Sequence, residues 1–212
     1  MAFNLDVLKQ AVIAGNSSSA LEATRQALSE QIPPDRLIDQ GLIPAMSEVG
    51  RLFEEGDLYI PEMMVAARAM QACLDILKPM LSKTDVKPLA TVVLGTVKGD
   101  MHDIGKNLVR MMLQGAGLEV VDLGTDVGPE EFIQAIHAHE AKLVGLSALL
   151  TTTMTSMQTI IQAIEQAGLR EQVKIMVGGA PVTESFTCQI KADGYAADAS
   201  QAVSLAKSLL GL

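Results

Sequence analysis

Hydrophobic residues follow a helical period in the first part of the chain. They recur every three or four positions, as on one face of a helix. The clearest stripe lies in a helix predicted to begin near Pro61 and consists of Met63, Ala67, Met70, Leu74, Leu77 and Leu81. Earlier helices are predicted from positions 16–19 to about Gln31 and over 42–55, where Gly56 ends the second. We therefore expect a bundle of about four or five helices.

The second part alternates short apolar runs with helical stretches. Strands are predicted at 90–96, 119–122, 143–147, 174–177 and 194–196, and helices at 104–116, 129–140, 154–167, 182–191 and 200–210. This alternation predicts a parallel sheet covered on both faces, in an α/β, doubly wound, flavodoxin or Rossmann-like fold. We expect two domains, a helical one at 1–88 that includes a linker at 82–88, and a Rossmann-like one at 89–212.

Composition and charge limit the expected partners and the expected location of the protein. The net charge is −9, and an acidic chain repels phosphate backbones, so no nucleic-acid partner is expected. No apolar run reaches about 18 residues, so no membrane span is expected. The two cysteines, Cys73 and Cys188, lack CxxC spacing, which fits a reducing compartment. No signal peptide is evident at the N-terminus, and we expect a cytoplasmic protein.

The first candidate site follows the first predicted strand, as Gly99-Asp100-Met101-His102-Asp103-Ile104-Gly105. A carboxylate two residues before a histidine can hydrogen-bond one imidazole nitrogen, which leaves the other nitrogen as a metal ligand. Gly99 and Gly105 allow the backbone to approach a bulky group. On these residues alone, a polar loop that caps the next helix remains an alternative interpretation.

Two further segments follow predicted strands of the same sheet. They are Ser147-Ala148-Leu149 with the run Thr151-Thr152-Thr153, and Gly178-Gly179-Ala180. Ligands of doubly wound folds bind at the carboxyl ends of the strands, where all these segments are expected to meet. The alternative roles are helix capping for the threonines and a tight turn for the glycine pair.

The three segments together resemble the cobalamin-binding domain of the methionine synthase type, with its elements D-x-H-x-x-G, S-x-L and G-G. Gaps of 41 residues (106–146) and 28 residues (150–177) separate the elements here, which matches that family. The helical part, through residues 50–56 and 60–64, resembles the helical cap that precedes this domain. A chain with only these two parts is similar to the small corrinoid proteins of methanol, methylamine, glycine betaine and aryl-ether demethylation systems.

The resemblance implies roles for individual residues. His102 would be the lower axial ligand of cobalt and would displace the cofactor's own benzimidazole base. Asp100 would hydrogen-bond His102, and Thr153 would complete the relay at a position where methionine synthase has a serine. Cobalt(I) is four-coordinate whereas methylcobalt(III) has six ligands, so a proton held in this relay could follow each change of coordination.

The resemblance also implies a larger set of cofactor-binding residues: Gly99, Asp100, Met101, His102, Asp103, Ile104, Gly105, Ser147, Leu149, Thr151, Thr153, Gly178, Gly179 and Ala180. The Gly178–Ala180 segment would leave room for the displaced tail of the cofactor. Ser147 and Thr151 would contact that tail or the corrin amides. In the helical part, Phe53, Met63, Met64 and Met70 are candidates for apolar contact with the cofactor, with ordinary core packing as the favoured alternative.

The function implied is that of a methyl carrier rather than of a complete enzyme. Such a protein binds a corrinoid base-off and His-on, and cycles between cobalt(I) and methylcobalt(III). Its implied partners are a substrate-specific methyltransferase, a second methyltransferase that serves a folate or a thiol, and a reductive activator. The sequence does not identify the methyl donor.

Three other functions were weighed. A receiver domain would place a phosphorylatable aspartate after the third strand, where Ser147-Ala148-Leu149 stands. An adenosylcobalamin mutase subunit shares D-x-H-x-x-G but usually lacks the helical part. A cobalamin-dependent sensor usually carries a basic DNA-binding module, and the chain has no strongly basic segment.

Overall fold

The computed structural model describes residues 4–80 and 88–212. The chain forms two compact units, one of Met1–Lys87 with Gly115–Gly117 and the other of Pro88–Gln114 with Leu118–Leu212. Of the predicted linker at 82–88 only Pro88 lies within the described residues, and Leu81 of the predicted stripe lies outside them.

The described part of the first unit is helical. Its helices are α1 (Leu5–Ile13), α2 (Ser17–Ser29), α3 (Pro34–Leu37), α4 (Ile43–Glu54) and α5 (Ile60–Leu77), with a π-helical turn at Ile38–Leu42 and a 3₁₀ turn at Lys78–Met80. Asn16 caps α2 by accepting a hydrogen bond from the Ser19 N–H, as expected for this position. The stripe on α5 is confirmed, since Met63, Ala67, Met70, Leu74 and Leu77 are all buried.

The second unit is an α/β layer structure. Its strands are β1 (Thr91–Thr96), β2 (Glu119–Asp122), β3 (Leu143–Ser147), β4 (Lys174–Gly178) and β5 (Gly194–Ala196). Its helices are α6 (Ile104–Gly115), α7 (Pro129–His139), α8 (Met154–Gln166), α9 (Glu184–Gln189) and α10 (Ala199–Leu210). The strands pair in the order β2-β1-β3-β4-β5, and every pair is parallel. The predicted doubly wound, five-stranded sheet is confirmed.

One predicted helix is shorter than expected. The prediction placed it at 182–191, whereas α9 begins at Glu184 because the Thr183 side chain caps it by accepting a hydrogen bond from the Phe186 N–H. Gly179 and Val182 form a turn before the cap, with the Val182 N–H donating to the Gly179 carbonyl at 2.9 Å. The chain therefore leaves the sheet as a loop after Gly178, the last residue of β4.

The strand register aligns the carboxyl ends of the central strands. Thr96 pairs with Ser147, Ser147 with Gly178, and Gly178 with Ala196, so one row of residues crosses four strands. Strand β1 is buried from Val92 to Thr96, as expected for a strand covered on both faces. The segments after β1, β3 and β4 thus start from one edge of the sheet.

No helix among the described residues is long and apolar enough to cross a membrane.

Candidate functional site

The centre of the candidate site is the loop after β1, which carries Asp100 and His102. Asp100 is fully buried, and its Oδ1 lies 2.7 Å from His102 Nδ1 and also accepts the His102 N–H at 3.0 Å. The His102 side chain is 51% exposed, and no described residue forms a hydrogen bond with its Nε2. One ring nitrogen is therefore held by the protein, and the other is available to a metal ion.

The second oxygen of Asp100 binds the loop after β3. Asp100 Oδ2 accepts hydrogen bonds from Thr153 Oγ1 at 2.7 Å and from the Leu149 N–H at 2.8 Å. Thr153 occupies the N-cap position of α8, yet its side chain makes no capping hydrogen bond. Helix capping, the alternative role for this hydroxyl, is thus wrong, and Thr153 joins Asp100 and His102 in one chain of hydrogen bonds.

Asp100 is an ionised carboxylate despite its burial. Burial acts to raise the pKa of Asp100, but the hydrogen bonds from Thr153, Leu149 and His102 outweigh it and hold the pKa well below its usual range. A permanently charged carboxylate accepts the proton on His102 Nδ1. This arrangement orients the ring and leaves Nε2 as the nitrogen with a lone pair.

The end of β4 has no room for side chains. Gly179 has φ +128°, and a Cβ there would lie 1.8 Å from the Ala148 carbonyl oxygen. A Cβ on Gly178 would lie 3.0 Å from the Ala196 carbonyl oxygen. The glycine pair makes the turn that the sequence allowed as an alternative, and it also leaves this strand end free of side chains.

Apolar side chains next to His102 project into solvent. Met101 is 70% exposed and Ile104 is 76% exposed. Over Gly105 the space is open, since a Cβ there would meet nothing within 4 Å. Neighbouring exposed apolar residues on one loop are typical of a binding surface.

The other predicted site residues lie in the loops at the same edge of the sheet. Ser147 is half-buried at the end of β3, whereas Leu149, Thr151 and Ala180 are exposed. Asp103 Oδ2 accepts a hydrogen bond from the Asn107 side chain at 2.9 Å, within the first turn of α6. Contacts of these residues with a cofactor stay a prediction.

The sequence-based prediction missed several residues that support the loop. Buried Thr96 donates from Oγ1 to the His102 carbonyl at 2.8 Å, and Ser156 donates from Oγ to the Lys98 carbonyl at 3.0 Å. Asp126, in the loop after β2, accepts the Gly99 N–H at 2.8 Å. The sequence signal that could have indicated Asp126 is its position after a predicted strand, since it lies in the loop that follows β2.

These features fit a large, flat, metal-containing cofactor. The carboxyl ends of the strands offer one imidazole nitrogen that has no hydrogen-bond partner in the described part of the chain, exposed apolar side chains beside it, and a strand end formed by glycines. A group that brings its own metal and ring ligands needs only one such nitrogen from the protein.

Comparisons with known protein families agree with this geometry. A model described as "B12 binding domain" matches residues 90–204, and a second model with the same description matches residues 5–78.

Relatives align over nearly the whole chain. The chain is 44% identical over 206 residues to dimethylamine corrinoid protein 3 of Methanosarcina acetivorans, covering 97% of this chain and 96% of the relative. Among solved structures, a cobalamin-binding protein from Desulfitobacterium hafniense is 32% identical, with a TM-score of 0.80 over 97% of this chain and 98% of the other. The methanol:cobalamin methyltransferase complex MtaBC from Methanosarcina barkeri contains a chain that is 31% identical, with a TM-score of 0.89 over 98% of this chain and 79% of the other.

The fold and the site define a cofactor-binding α/β protein with a candidate ligand site at the carboxyl ends of a parallel sheet. The matched families identify that ligand as cobalamin or a related corrinoid. The chain belongs to the family of B12-binding corrinoid proteins found in methyltransferase systems.

Proposed function

We propose that this protein is a methyl carrier that binds its corrinoid base-off and His-on, through His102 Nε2. The observation that carries the proposal is the chain of hydrogen bonds from His102 through Asp100 to Thr153. It fixes the Nδ1 side of the ring at a buried carboxylate, and Nε2 has no hydrogen-bond partner among the residues that the structure describes. That is the arrangement which a histidine ligand of a metal requires.

The residues around His102 would control how strongly it donates to cobalt. A bound corrinoid supplies a cobalt centre that accepts a methyl group and later gives it up. Asp100 holds a proton on His102 Nδ1 and increases the basicity of Nε2, and Thr153 stabilises the charge on Asp100 by donating to Oδ2. Because Asp100 is buried, water does not compete for these hydrogen bonds.

The remaining predicted contacts are part of the same proposal. The displaced nucleotide tail would lie against the end of β4, where Gly178 and Gly179 bring no side chain of their own; the Cβ positions themselves are closed by the Ala196 and Ala148 carbonyl oxygens. Met101 and Ile104 would lie against the corrin, because their exposed apolar side chains would then be removed from water. Ser147 and Thr151 would offer hydroxyls to the tail or to the corrin amides.

The proposed partners are methyltransferases. Relatives carry the names dimethylamine corrinoid protein and trimethylamine corrinoid protein, and the similar chain in MtaBC belongs to a methanol:cobalamin methyltransferase complex. We propose one methyltransferase that loads the carrier, a second that passes the methyl group to a folate or a thiol, and a reductive activator, all in the cytoplasm. The helical part at 1–88 and the Rossmann-like part at 89–212 are proposed as the two functional domains.

Electron paramagnetic resonance tests the axial ligand directly. In the cobalt(II) form, the spectrum should show superhyperfine splitting from one axial nitrogen. Labelling the protein's histidine with nitrogen-15 should turn the triplet splitting into a doublet, because the nuclear spin changes. An unchanged triplet means that the axial base is the cofactor's own, and the His-on proposal is then wrong.

The control uses the small number of histidines. The chain has 3, and the other two, His137 and His139, are exposed on α7. A His137→Gln/His139→Gln variant should keep the labelled doublet, which assigns the ligand to His102. A His102→Ala variant should lose the protein-derived splitting while the labelled His137 and His139 are still present.

A further inference from the structure

The loop after β2 packs against the loop that carries His102, through Asp126. The Asp126 N–H donates to the Asp100 carbonyl at 2.9 Å, and Asp126 Oδ1 accepts the Gly99 N–H at 2.8 Å. Lys98 Nζ lies 3.1 Å from Asp126 Oδ2. Asp126 thus contacts three consecutive residues, 98–100, which lie shortly before the proposed ligand His102.

Backbone pairing on both sides of Asp126 fixes its position. The Thr96 N–H donates to the Gly124 carbonyl at 3.0 Å, and the Val127 N–H donates to the Thr96 carbonyl at 3.0 Å. Asp126 itself has φ +58°, a left-handed conformation that aspartate tolerates better than most residues with a side chain. Gly99, which it binds, has φ +84°. Two tightly bent segments are therefore held together at the end of β1.

Asp126 carries a full negative charge in this arrangement. The hydrogen bond from the Gly99 N–H, together with the hydrogen bond from Lys98, lowers the pKa of its carboxyl group. Charge strengthens a carboxylate as a hydrogen-bond acceptor, so the contact with the Gly99 N–H is a strong one.

We propose that Asp126 is a positioning residue for cobalt ligation, which acts through Asp100. By binding Gly99 and the Asp100 carbonyl, it sets the backbone from which the Asp100 carboxylate reaches His102, Thr153 and the Leu149 N–H at the same time. The inference rests on the His-on function proposed above. It assigns a role to the loop after β2, which contributes no other residue to the proposed site.

Variants at positions 126 and 98 separate the effect of the Asp126–Gly99 hydrogen bond from that of the Asp126–Lys98 ion pair. Asp126→Gly keeps the backbone N–H and permits the positive φ but removes the carboxylate. Asp126→Asn keeps a neutral, weaker acceptor for the Gly99 N–H. Lys98→Gln removes the ion pair and the long hydrogen bond from Lys98 Nζ to the Asp126 carbonyl, and leaves the Gly99 contact in place. Asp126→Gly should weaken corrinoid affinity about tenfold, at the lower end of the effects known for groups that orient metal ligands. Asp126→Asn should lie between Asp126→Gly and the wild type, and Lys98→Gln should stay close to the wild type.

A cofactor-free measurement reports the position of the Asp100 carboxylate. The Leu149 N–H is bonded to Asp100 Oδ2, so its hydrogen exchange in the unloaded protein measures whether that oxygen is in place. Leu149 protection should fall in Asp126→Gly although the Leu149 N–H is bonded to Asp100 and not to residue 126. In the loaded cobalt(II) protein, the fraction with histidine-derived splitting should fall as well.

An ordinary loss of stability is controlled with Asp198→Ala. Asp198 caps α10 in the same unit, where its side chain accepts the Gln201 N–H at 2.8 Å. This variant should lower the melting temperature and leave Leu149 protection and the histidine splitting unchanged.

The outcomes distinguish the inference from the function on which it rests. If Asp126→Gly matches the wild type in Leu149 protection and in affinity, or if Asp198→Ala changes both equally, Asp126 is not a positioning residue. If the wild type shows no histidine-derived splitting, the His-on function fails, and positioning for ligation fails with it. If the wild type shows histidine-derived splitting, and this splitting is reduced in Asp126→Gly but not in Asp198→Ala, the result supports both the His-on function and the positioning role of Asp126.

Discussion

Both carboxylate oxygens of Asp100 form two hydrogen bonds each within the protein. Oδ1 accepts from the backbone and the ring of His102, and Oδ2 accepts from Thr153 Oγ1 and the Leu149 N–H. A buried carboxylate is costly unless its lone pairs are satisfied, and here they are. Each group that donates to Asp100 therefore influences the nitrogen which His102 would present to cobalt.

The hydroxyl of Thr153 can be tested by replacing it alone. Thr153→Ala should retain the corrinoid and lower the rate of methyl transfer by about 10–100-fold, because Asp100 Oδ2 loses a donor. Thr153→Ser keeps the hydroxyl and should stay close to the wild type, and Asp100→Asn should resemble Thr153→Ala. The rate is followed as the absorbance change from cobalt(I) to methylcobalt(III) when a methylated substrate and its methyltransferase are added to the reduced protein.

The matched control is the neighbouring residue. Thr152→Ala removes an exposed threonine from the same run. Its transfer rate should equal that of the wild type. Wild-type rates and cobalt potentials in both Thr153→Ala and Asp100→Asn would remove the relay from the mechanism.

At the scale of elements, a buried ion pair joins α6 to the end of β2. Lys106 is 1% exposed, and its Nζ lies 2.6 Å from Asp122 Oδ1, whose carboxylate is 19% exposed. Asp122 Oδ1 also accepts the Gly124 N–H at 2.9 Å, and Arg110 Nε lies 3.7 Å from Oδ2. The pair therefore ties the first turn of α6, next to the site, to the loop that holds Asp126.

Replacing Asp122 should cost more unfolding free energy than replacing Lys106. Asp122→Asn keeps an acceptor for Gly124 but leaves a buried ammonium without its counter-charge, which should cost about 3 kcal/mol of unfolding free energy. Lys106→Met removes the buried charge and retains most of the volume, and should cost about 1 kcal/mol, because the half-exposed Arg110 still faces Asp122. Urea unfolding of the unloaded variants measures both values.

The double variant completes the cycle. In Lys106→Met/Asp122→Asn the ammonium is absent, so the double variant should be more stable than Asp122→Asn alone. If the two single variants lose the same unfolding free energy, and the double variant loses the sum of the two, the pair behaves as a solvent-exposed contact.

The elements of the sheet and the central residues of the site were predictable from the sequence. Buried parallel strands are short apolar runs, so all five strands were placed within one residue of their observed ends. Asp100, His102 and Thr153 were recognised because they lie next to predicted strand ends and match a spaced motif. The hydrogen bond between Asp100 and Thr153, across 53 residues, depended on that resemblance.

Other parts could not be predicted, for physical reasons. The π-helical turn at Ile38–Leu42 has no sequence signature in the 3.6-residue period. Helix α1 was not among the predicted helices, although its buried residues Leu8, Ala11 and Val12 follow the helical period. Asp126 and Lys106 were missed because their hydrogen-bond partners are distant in sequence and become adjacent only in the folded chain. Buried Lys106 had the weak signal of a charge on an otherwise apolar helix face, and only the fold brings Asp122 to it.

At the scale of the whole molecule, the protein should not turn over a methylated substrate by itself. His102, the one histidine of the site, is committed to Asp100 on one side and, as proposed, to cobalt on the other. The similar chain in MtaBC occurs in a complex with a methyltransferase. Protein reduced to the cobalt(I) form should show no absorbance change with methylamines or methanol alone, and should form methylcobalt(III) when a cognate methyltransferase is added.

The same assay distinguishes the carrier from its alternatives. Catalytic demethylation of a substrate by the isolated chain would make it a complete enzyme. A carbon-skeleton rearrangement with adenosylcobalamin and a partner chain would support the mutase interpretation instead. The control is the His102→Ala protein, which should not restore transfer when the methyltransferase is present.

The parallel order of the strands also sets when the site can form as the chain is made. Asp100 leaves the ribosome well before Thr153, and Gly178 and Gly179 come later still. Strand β1 receives its second neighbour only when β3 has been synthesised, and β4 and β5 are added after it. Before that, the Asp100 carboxylate lacks its partners from residues 149 and 153. The complete candidate site thus forms only in a nearly finished polypeptide, so corrinoid loading at the proposed site would follow folding of the sheet.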